Sequence, residues 1–288
     1  MILNATSLIS NRNKAKFFGI DYYANICYGS NQIFNYLATP QDFFPLANDE
    51  KPILSKTKTK NFFKQIEDFK NQKYFGFFQN PDIYSCTSSI KEIIAKLKEY
   101  NHGLYIESNS NNLNYDLSLL EEFAKTNPCL IGIPITSIEP INISLLNDNS
   151  NLKALESLIR SLNKTKIKYG FLIKPIIPYI NDNVIEFKAL LNRLISYNPY
   201  FIYPSFSLHF DSKKLNNFYD VIDREKSELK PLYYDNYGFR KIWHSHNIEE
   251  LKKAFIFALK KTKIKYRMQG IIDLYKTQNN IDKQLSLF

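Results

Sequence analysis

Short apolar runs alternate with amphipathic stretches along most of the chain, and this alternation predicts strands and helices in turn. KFFGIDYY (16–23) predicts a strand. In KTKTKNFFKQIEDFKNQ (56–72), Phe62, Phe63, Ile66 and Phe69 share one helical face. KYFGFFQ (73–79) predicts a second strand, and SSIKEIIAKLKEY (88–100) a helix with Ser88 as its cap. GLYIES (103–108) predicts a strand, and DLSLLEEFAK (116–125) a helix capped by Asp116. CLIGIPI (129–135), IKYGFLIKPIIP (167–178), whose strand ends at Pro175 or before, and YFIYPSFSL (200–208) complete six strands. Helices NLKALESLIRSLNK (151–164) and NDNVIEFKALLNRLISY (181–197) lie between them, the latter with Asn181 or Asp182 as cap.

Apolar strands each followed by a helix imply a parallel sheet covered by helices. Six repeats fall two short of a full eight-fold barrel. The expected fold is therefore α/β, an incomplete (β/α)6 TIM-like barrel, with a doubly wound sheet fitting the same count. Either topology gathers chemistry at the carboxyl ends of the strands. Beyond the sixth strand, 211–238 is charged, aromatic and helix-rich, and NIEELKKAFIFALKKTKI (247–264) is an amphipathic helix with Asn247 as cap. No Pro/Gly-rich linker separates this part. The expected organisation is a barrel over 1–210 and a helical C-terminal extension over 211–288 packed on it.

Composition narrows the picture. Of 288 residues, 44% are hydrophobic, which fits a folded core. No run of about 18 apolar residues suggests a membrane span, and the first residues lack the pattern of a secretory signal. Three scattered cysteines, Cys27, Cys86 and Cys129, fit a reducing, cytoplasmic setting better than a disulfide framework. The net charge of +10 suits nucleic acid or an acidic partner. The abundance of Lys, Asn, Ile, Phe and Tyr with only 8 Gly also fits AT-rich coding, which raises Lys without any partner.

Three stretches together resemble one family. KPIIPYINDN (174–183) resembles the P-I-I/L-P-x-I-N-D signature of radical S-adenosylmethionine proteins of the spore photoproduct lyase and DNA-repair-photolyase-like group. The tail from Asn247, closing on Gln-Leu-Ser-Leu-Phe, resembles that group's C-terminus. NICYGSNQIFNYLA (25–38) stands where the family reads N-x-Y-x-G-C-x-H-x-C-x-Y-C, with Asn25, Gly29 and Tyr36 in register and Gln32 at the His place. The resemblance implies a radical-SAM-type barrel. It also implies a [4Fe–4S] cluster on three cysteines, with S-adenosylmethionine chelating the fourth iron and cleaved reductively to a 5′-deoxyadenosyl radical.

The departures fall on that chemistry. The three cysteine positions read Ser30, Phe34 and Leu37. Iron–sulfur clusters are held by thiolates, and neither Phe nor Leu offers a ligand atom. Cys27 falls on a Tyr position of the motif. GFFQNPDIY keeps Gly76 and Pro81 but has Asn80 for the family's Asp; IESNSNNLNYD keeps Asp116 but has Tyr115 for Arg; PITSIE keeps Thr136. A [4Fe–4S] cluster is therefore not expected, no other cofactor is expected, and S-adenosylmethionine stays open as a ligand.

The candidate ligand-contacting residues are Asn80, Glu107, Ser108, Thr136 and Lys174 at strand ends, with Ser137 and Ser205 beside them. Glu107 is expected to pair with Lys174 across the mouth. No nucleophile–base pair is apparent, so no catalytic residue is assigned. His244 and His246 lack an accompanying carboxylate–His set and read as structural, so no metal site is assigned. The expected function is that of a degenerate member of this superfamily, a pseudoenzyme with a binding role, with nucleic acid as its candidate partner and no membrane partner. The alternative is an active enzyme using S-adenosylmethionine by a non-standard site.

Overall fold

The computed structural model describes residues 8–10, 17–28, 52–78, 82–141, 146, 151–210 and 212–276. Among these, six parallel strands form one curved sheet in chain order: β2 (Tyr22–Ala24), β5 (Tyr74–Phe77), β6 (Gly103–Glu107), β7 (Cys129–Ile135), β8 (Lys168–Ile173) and β9 (Phe201–Pro204). The seventh strand, β1 (Leu8–Ser10), pairs antiparallel with β2 at the sheet edge. A short pair, β3 (Cys27–Tyr28) with β4 (Ile53–Leu54), follows β2. Strand β9 does not pair back to β2, so the barrel is open. This is the incomplete six-unit barrel that the strand–helix alternation predicts.

Alternation along each strand divides the side chains between two faces. Phe75, Phe77, Leu104, Ile106, Ile131, Ile133, Ile135, Phe171, Ile173 and Ile202 face outward, in one core with the covering helices. Those helices are α1 (Lys56–Glu67), α2 (Ile83–Cys86), α3 (Lys91–Glu99), α4 (Leu117–Ala124), α5 (Leu152–Leu162) and α6 (Val184–Ser196). Tyr23, Tyr105, Leu130, Leu172 and Phe201 point inward and pack with Phe18, Ile20, Phe78, Ile271 and Tyr275. Gly170 is required on this inner face: a Cβ there would sit 2.3 Å from the carbonyl oxygen of Phe201.

The amino-terminal end of the barrel is closed by α10 (Met268–Lys276). Tyr275 donates its hydroxyl proton to the Phe18 carbonyl, Lys276 donates to the Gly19 carbonyl, and Lys168 donates to the Leu274 carbonyl. Lys276 Nζ also lies 3.4 Å from the centroid of the Tyr74 ring. A plug at this end leaves the carboxyl ends of the strands as the place for chemistry.

Between β9 and α10 the chain adds β10 (Ser207–His209), α7 (Ser212–Glu225), α8 (Lys230–Asn236), β11 (Ile242–His244) and α9 (Ile248–Leu259). Strands β10 and β11 pair antiparallel. Trp243 is the centre of an aromatic cluster here, with Phe210, Phe218, Tyr233 and Tyr237 against it and Ile177 contributed by the barrel. Its indole N–H donates to the Arg240 carbonyl at 2.7 Å.

Several local expectations are corrected. The run from Lys16 does not extend as one strand: Phe17–Gly19 is a 3-10 turn with Phe18 and Gly19 at positive φ, and the strand starts at Tyr22. Helix α6 is capped by Asn183, whose Oδ1 accepts from Ile185 N and Glu186 N, and not by Asn181 or Asp182. Helix α3 begins after Ile90 with no side-chain cap, so Ser88 does not serve. Asp116 and Asn247 hold the cap positions of α4 and α9 but make no capping bond.

Candidate functional site

The inner-face residues at the carboxyl ends of β6 and β8 bring two opposite full charges together. Lys174 follows Ile173, and its Nζ pairs with the carboxylate of Glu107, the last residue of β6. Both are almost wholly buried, at 7% and 1% exposed. Tyr105, two residues before Glu107 on the same face, donates its hydroxyl to Glu107 Oε2 at 3.3 Å. Burial pushes the Lys174 ammonium below its usual range, and the Glu107 carboxylate opposes that shift. Burial, with the Glu107 charge beside it, pushes Tyr105 well up, so this hydroxyl remains a donor.

A second acid lies beside the pair. Asp82, in the loop after β5, is buried; its Oδ1 accepts from Tyr84 N at 2.9 Å and its Oδ2 from Ser108 Oγ at 2.7 Å and Asn109 N at 3.2 Å. Burial pushes its carboxyl up to about 6, with those three hydrogen bonds opposing the shift. Tyr84 carries the connection onward by donating to Asp116 Oδ2 at 3.0 Å. Asp116 also accepts from Ser89 Oγ at 2.6 Å and Ile90 N at 2.7 Å. This acid thus ties α2 and the start of α3 to the start of α4, a different task from capping its own helix. Asn109, buried at 2% exposed, leaves its side-chain Nδ2 without an acceptor. Buried donors are rarely left so, and each one marks a place for a ligand oxygen or a water.

The PIIPYIND segment acts as a clamp under Lys174. Asn181 Oδ1 accepts from Ile177 N at 2.6 Å, and its Nδ2 donates to Pro175 O at 2.9 Å and Thr136 O at 3.4 Å. Asp182 accepts from Tyr179 N at 2.9 Å and from Ser245 Oγ at 2.5 Å, which couples the loop to the C-terminal part. The signature therefore does structural work through these contacts.

Of the strand-end candidates, Glu107, Ser108 and Lys174 come together with Tyr105 and Asp82. Thr136 is buried at the end of β7 near Asn181. Ser137 donates to the Glu139 carbonyl at 2.5 Å and Ser205 to the Ser207 carbonyl at 3.2 Å, so both serve their own loops. His244 Nδ1 lies 3.4 Å from the Phe206 carbonyl, and the His246 ring rests on Tyr179 and Tyr237. Ser30, Phe34, Leu37 and Asn80 lie outside the described residues, as does the Gln-Leu-Ser-Leu-Phe ending. Sequence reasoning missed Asp82, Tyr84 and Asn109. The signal for Asp82 was present: an acid a few positions past an apolar strand end, in the loop that must face the mouth.

The placement of the thiols does not suit a cluster. Cys27, buried just past β2, is hydrogen-bonded to the Cys86 thiol, and this contact with burial pushes the Cys27 thiol far up. Buried Lys58 donates to Cys27 O at 3.3 Å and Asn25 Oδ1 at 3.4 Å. Cys129 starts β7, at the opposite end of the barrel, and burial pushes it up to about 12. Among the described residues no three His, Cys, Asp or Glu side chains converge as metal ligands. Two neighbouring thiols with the third at the opposite end do not make a [4Fe–4S] donor set, so the described residues do not fit that group.

An open six-stranded parallel barrel with polar groups at its carboxyl mouth is the radical-SAM type of partial barrel. Solved structures bear this out. A tyrosine-to-phenylalanine mutant of spore photoproduct lyase superposes with a TM-score of 0.55 at 14% identity, over 87% of this chain and 77% of that one. A cysteine-to-serine mutant of the same lyase gives 0.56 at 15% identity, over 88% and 78%. The radical S-adenosylmethionine methyltransferase TsrM from Kitasatospora setae, solved with cobalamin and a [4Fe–4S] cluster, gives 0.50 at 11% identity, over 80% of this chain and 51% of that one. No family model matches the chain, and no curated protein matches it. The chain thus resembles spore photoproduct lyase-like radical SAM proteins in fold. Among the described residues, no helix is long and apolar enough to cross a membrane.

Proposed function

We propose that this chain is a radical-SAM-fold protein that has given up radical chemistry and binds a small zwitterionic ligand at its barrel mouth. The observation that carries this reading is the buried Glu107–Lys174 pair on the inner face at the carboxyl end of the sheet. That end is where open α/β sheets and barrels place their ligands. A ligand with a carboxylate and an ammonium matches the pair charge for charge, the carboxylate meeting Lys174 and the ammonium meeting Glu107. Amino acids have this form, and S-adenosylmethionine carries it at one end. The Asn109 amide and the Ser108 hydroxyl stand nearby for further polar contacts.

The absence of radical chemistry is supported by sequence, through Ser30, Phe34 and Leu37 at the family's cysteine positions, and by the separation of the described thiols. The test has two arms. Calorimetric titration with S-adenosylmethionine and with methionine is expected to show binding that Glu107→Gln with Lys174→Met abolishes. Anaerobic reconstitution with iron and sulfide, followed by dithionite and S-adenosylmethionine, is expected to give no 5′-deoxyadenosine above a protein-free control. Product in the second arm would restore the active-enzyme alternative. Absence of binding in the first would remove the ligand reading.

A further inference from the structure

The outer surfaces of α6 and α9 carry exposed apolar side chains beside lysines. Helix α9 buries Leu251, Ala254, Phe255 and Leu259, which turns Lys253, Ile256, Phe257 and Lys260 outward. Phe257 is 73% exposed and Ile256 51%; Ile185, on the first turn of α6, is 78% exposed. Large apolar side chains this exposed need a reason when they gather. An open groove of about 880 Å³ runs between the helices, with Lys188, Lys253, Phe257, Lys260 and Lys261 on its walls and Glu250 as its acid.

The groove is lined by four lysines and one acid. From Asn247 to Arg267 there are seven basic and two acidic residues, a balance of +5 within a chain total of +10. Lys96, Lys125 and Lys230 each hold a carboxylate partner elsewhere on the surface. Among the described residues, Lys188, Lys253, Lys260 and Lys261 form no salt bridge. Lys260 Nζ instead lies 5.1 Å from the Phe257 ring centroid. AT-rich coding accounts for lysine number but not for an exposed Phe257 set among four lysines, with Ile256 exposed beside it on α9 and Ile185 exposed on α6.

We propose that this face docks on an anionic lipid surface. Phe257, Ile256 and Ile185 enter the headgroup layer, and the ring of lysines meets the lipid phosphates and carboxylates. Basic side chains framing bulky apolar ones is the chemistry of interfacial binding, in which apolar burial and charge add. Ile185 and Ile256 decide between polyanions, since aliphatic side chains gain from lipid and do not stack on bases. The sequence expectation of no membrane partner rested on the lack of a spanning segment, and a peripheral face needs none.

The test is flotation of the full chain with vesicles of pure phosphatidylcholine or with about 30% phosphatidylserine, at about 0.1 M salt. Binding to the anionic vesicles alone is expected. Lys253→Gln with Lys260→Gln is expected to lower the partition coefficient roughly 30-fold, at about a factor of five per lysine. Phe257→Ser with Ile256→Ser is expected to lower it roughly 10- to 100-fold. All four side chains are exposed, and melting curves should match the wild type. Equal binding to neutral vesicles, or indifference to both variants, would overturn the proposal. So would binding of a labelled oligothymidine that both variants lose while no vesicle binds, which would make the face a nucleic-acid surface.

Discussion

Replacing Lys174 by Met removes one member of a buried pair and leaves the other. Glu107 then holds a full charge at 1% exposure, with the Tyr105 hydroxyl still donating to it at 3.3 Å. Breaking a buried pair in this way costs about 3–5 kcal/mol, because the remaining charge has lost both its hydration and its counter-ion. At ~2.1 cal/mol/K per residue, a chain of 288 residues unfolds with an entropy of about 0.6 kcal/mol/K. The loss therefore corresponds to a fall in Tm of about 5–8 °C. Glu107→Gln should cost a similar amount, since it strands the lysine. The double variant Glu107→Gln, Lys174→Met should recover most of either loss, because uncharged groups of similar shape replace the pair. Thermal and urea unfolding of the four proteins gives the cycle. Single losses below about 1 kcal/mol, or a double variant that equals the sum of the singles, would refute the buried pair. The pH dependence adds an independent check. Burial lowers the folded-state pKa of Lys174 while the Glu107 charge opposes the shift, so removing Glu107 must lower it further. A depressed lysine binds fewer protons when folded, so its contribution to stability grows as pH rises toward the unfolded value near 10.4 and is lost as pH falls through the folded one. Relative to wild type, Glu107→Gln should therefore gain stability between neutral pH and about pH 10.

Asp82 should act in the opposite pH range. Its folded pKa is raised from 3.8 to about 6, so the protonated form favours folding below the unfolded value and that advantage is lost as pH rises through 6. The stability gap between wild type and Asp82→Asn should shift by roughly 2 kcal/mol in favour of Asn from pH 4 to pH 7, at 1.36 kcal/mol per unit; a gap constant with pH would refute it. Gly170→Ala places a methyl 2.3 Å from the Phe201 carbonyl oxygen, with no flexible neighbour to move. It should lower the unfolding free energy by about 1–3 kcal/mol or more, and an unchanged urea midpoint would show the strands are farther apart than they stand here. Burial keeps the Cys27 and Cys129 thiols protonated, so native protein treated with iodoacetamide should label at Cys86 while Cys27 and Cys129 react only after unfolding; mass spectrometry of the labelled peptides reads this.

Much of the barrel was legible because its signals are local. The run CLIGIPI is apolar at every position and GLYIE at all but its last, Glu107, as strands buried on both faces tend to be. Phe62 and Ile66 repeat at the helical period. The first strand misled for the opposite reason: Phe17 and Phe18 are apolar because they fill the barrel floor against Tyr105 and Tyr203, not because they pair in the sheet. Nothing local distinguishes those two uses of an aromatic pair. The caps failed similarly. Asp116 and Asp182 have the right residue type at the right place, but partners from distant segments, Tyr84, Ser89 and Ser245, take their oxygens. The Glu107–Lys174 pairing was legible from position alone, since both residues sit at strand ends on a shared inner face. Asp82 and Asn109 were not, because their meaning depends on contacts between two loops whose spacing only the fold sets.

A mouth closed by its own ion pair imposes a rule on whatever enters it. A ligand that brings only an anion can take Lys174, but it leaves Glu107 buried without its counter-ion. A ligand that brings only a cation leaves Lys174 in the same condition. Either exchange forfeits about 3–5 kcal/mol of the gross interaction. A ligand with both charges replaces one internal pair by two intermolecular ones and strands neither group. Zwitterions should therefore bind at least about 100-fold more tightly than the corresponding amine or acid alone. Titration with methionine, its amide, and its des-amino acid separates these cases. Comparable affinity for all three would mean that the pair stays intact and that the ligand sits elsewhere. If the Lys174→Met single variant gained affinity for the amide over methionine, the direction of the exchange would be fixed: carboxylate toward Lys174, ammonium toward Glu107.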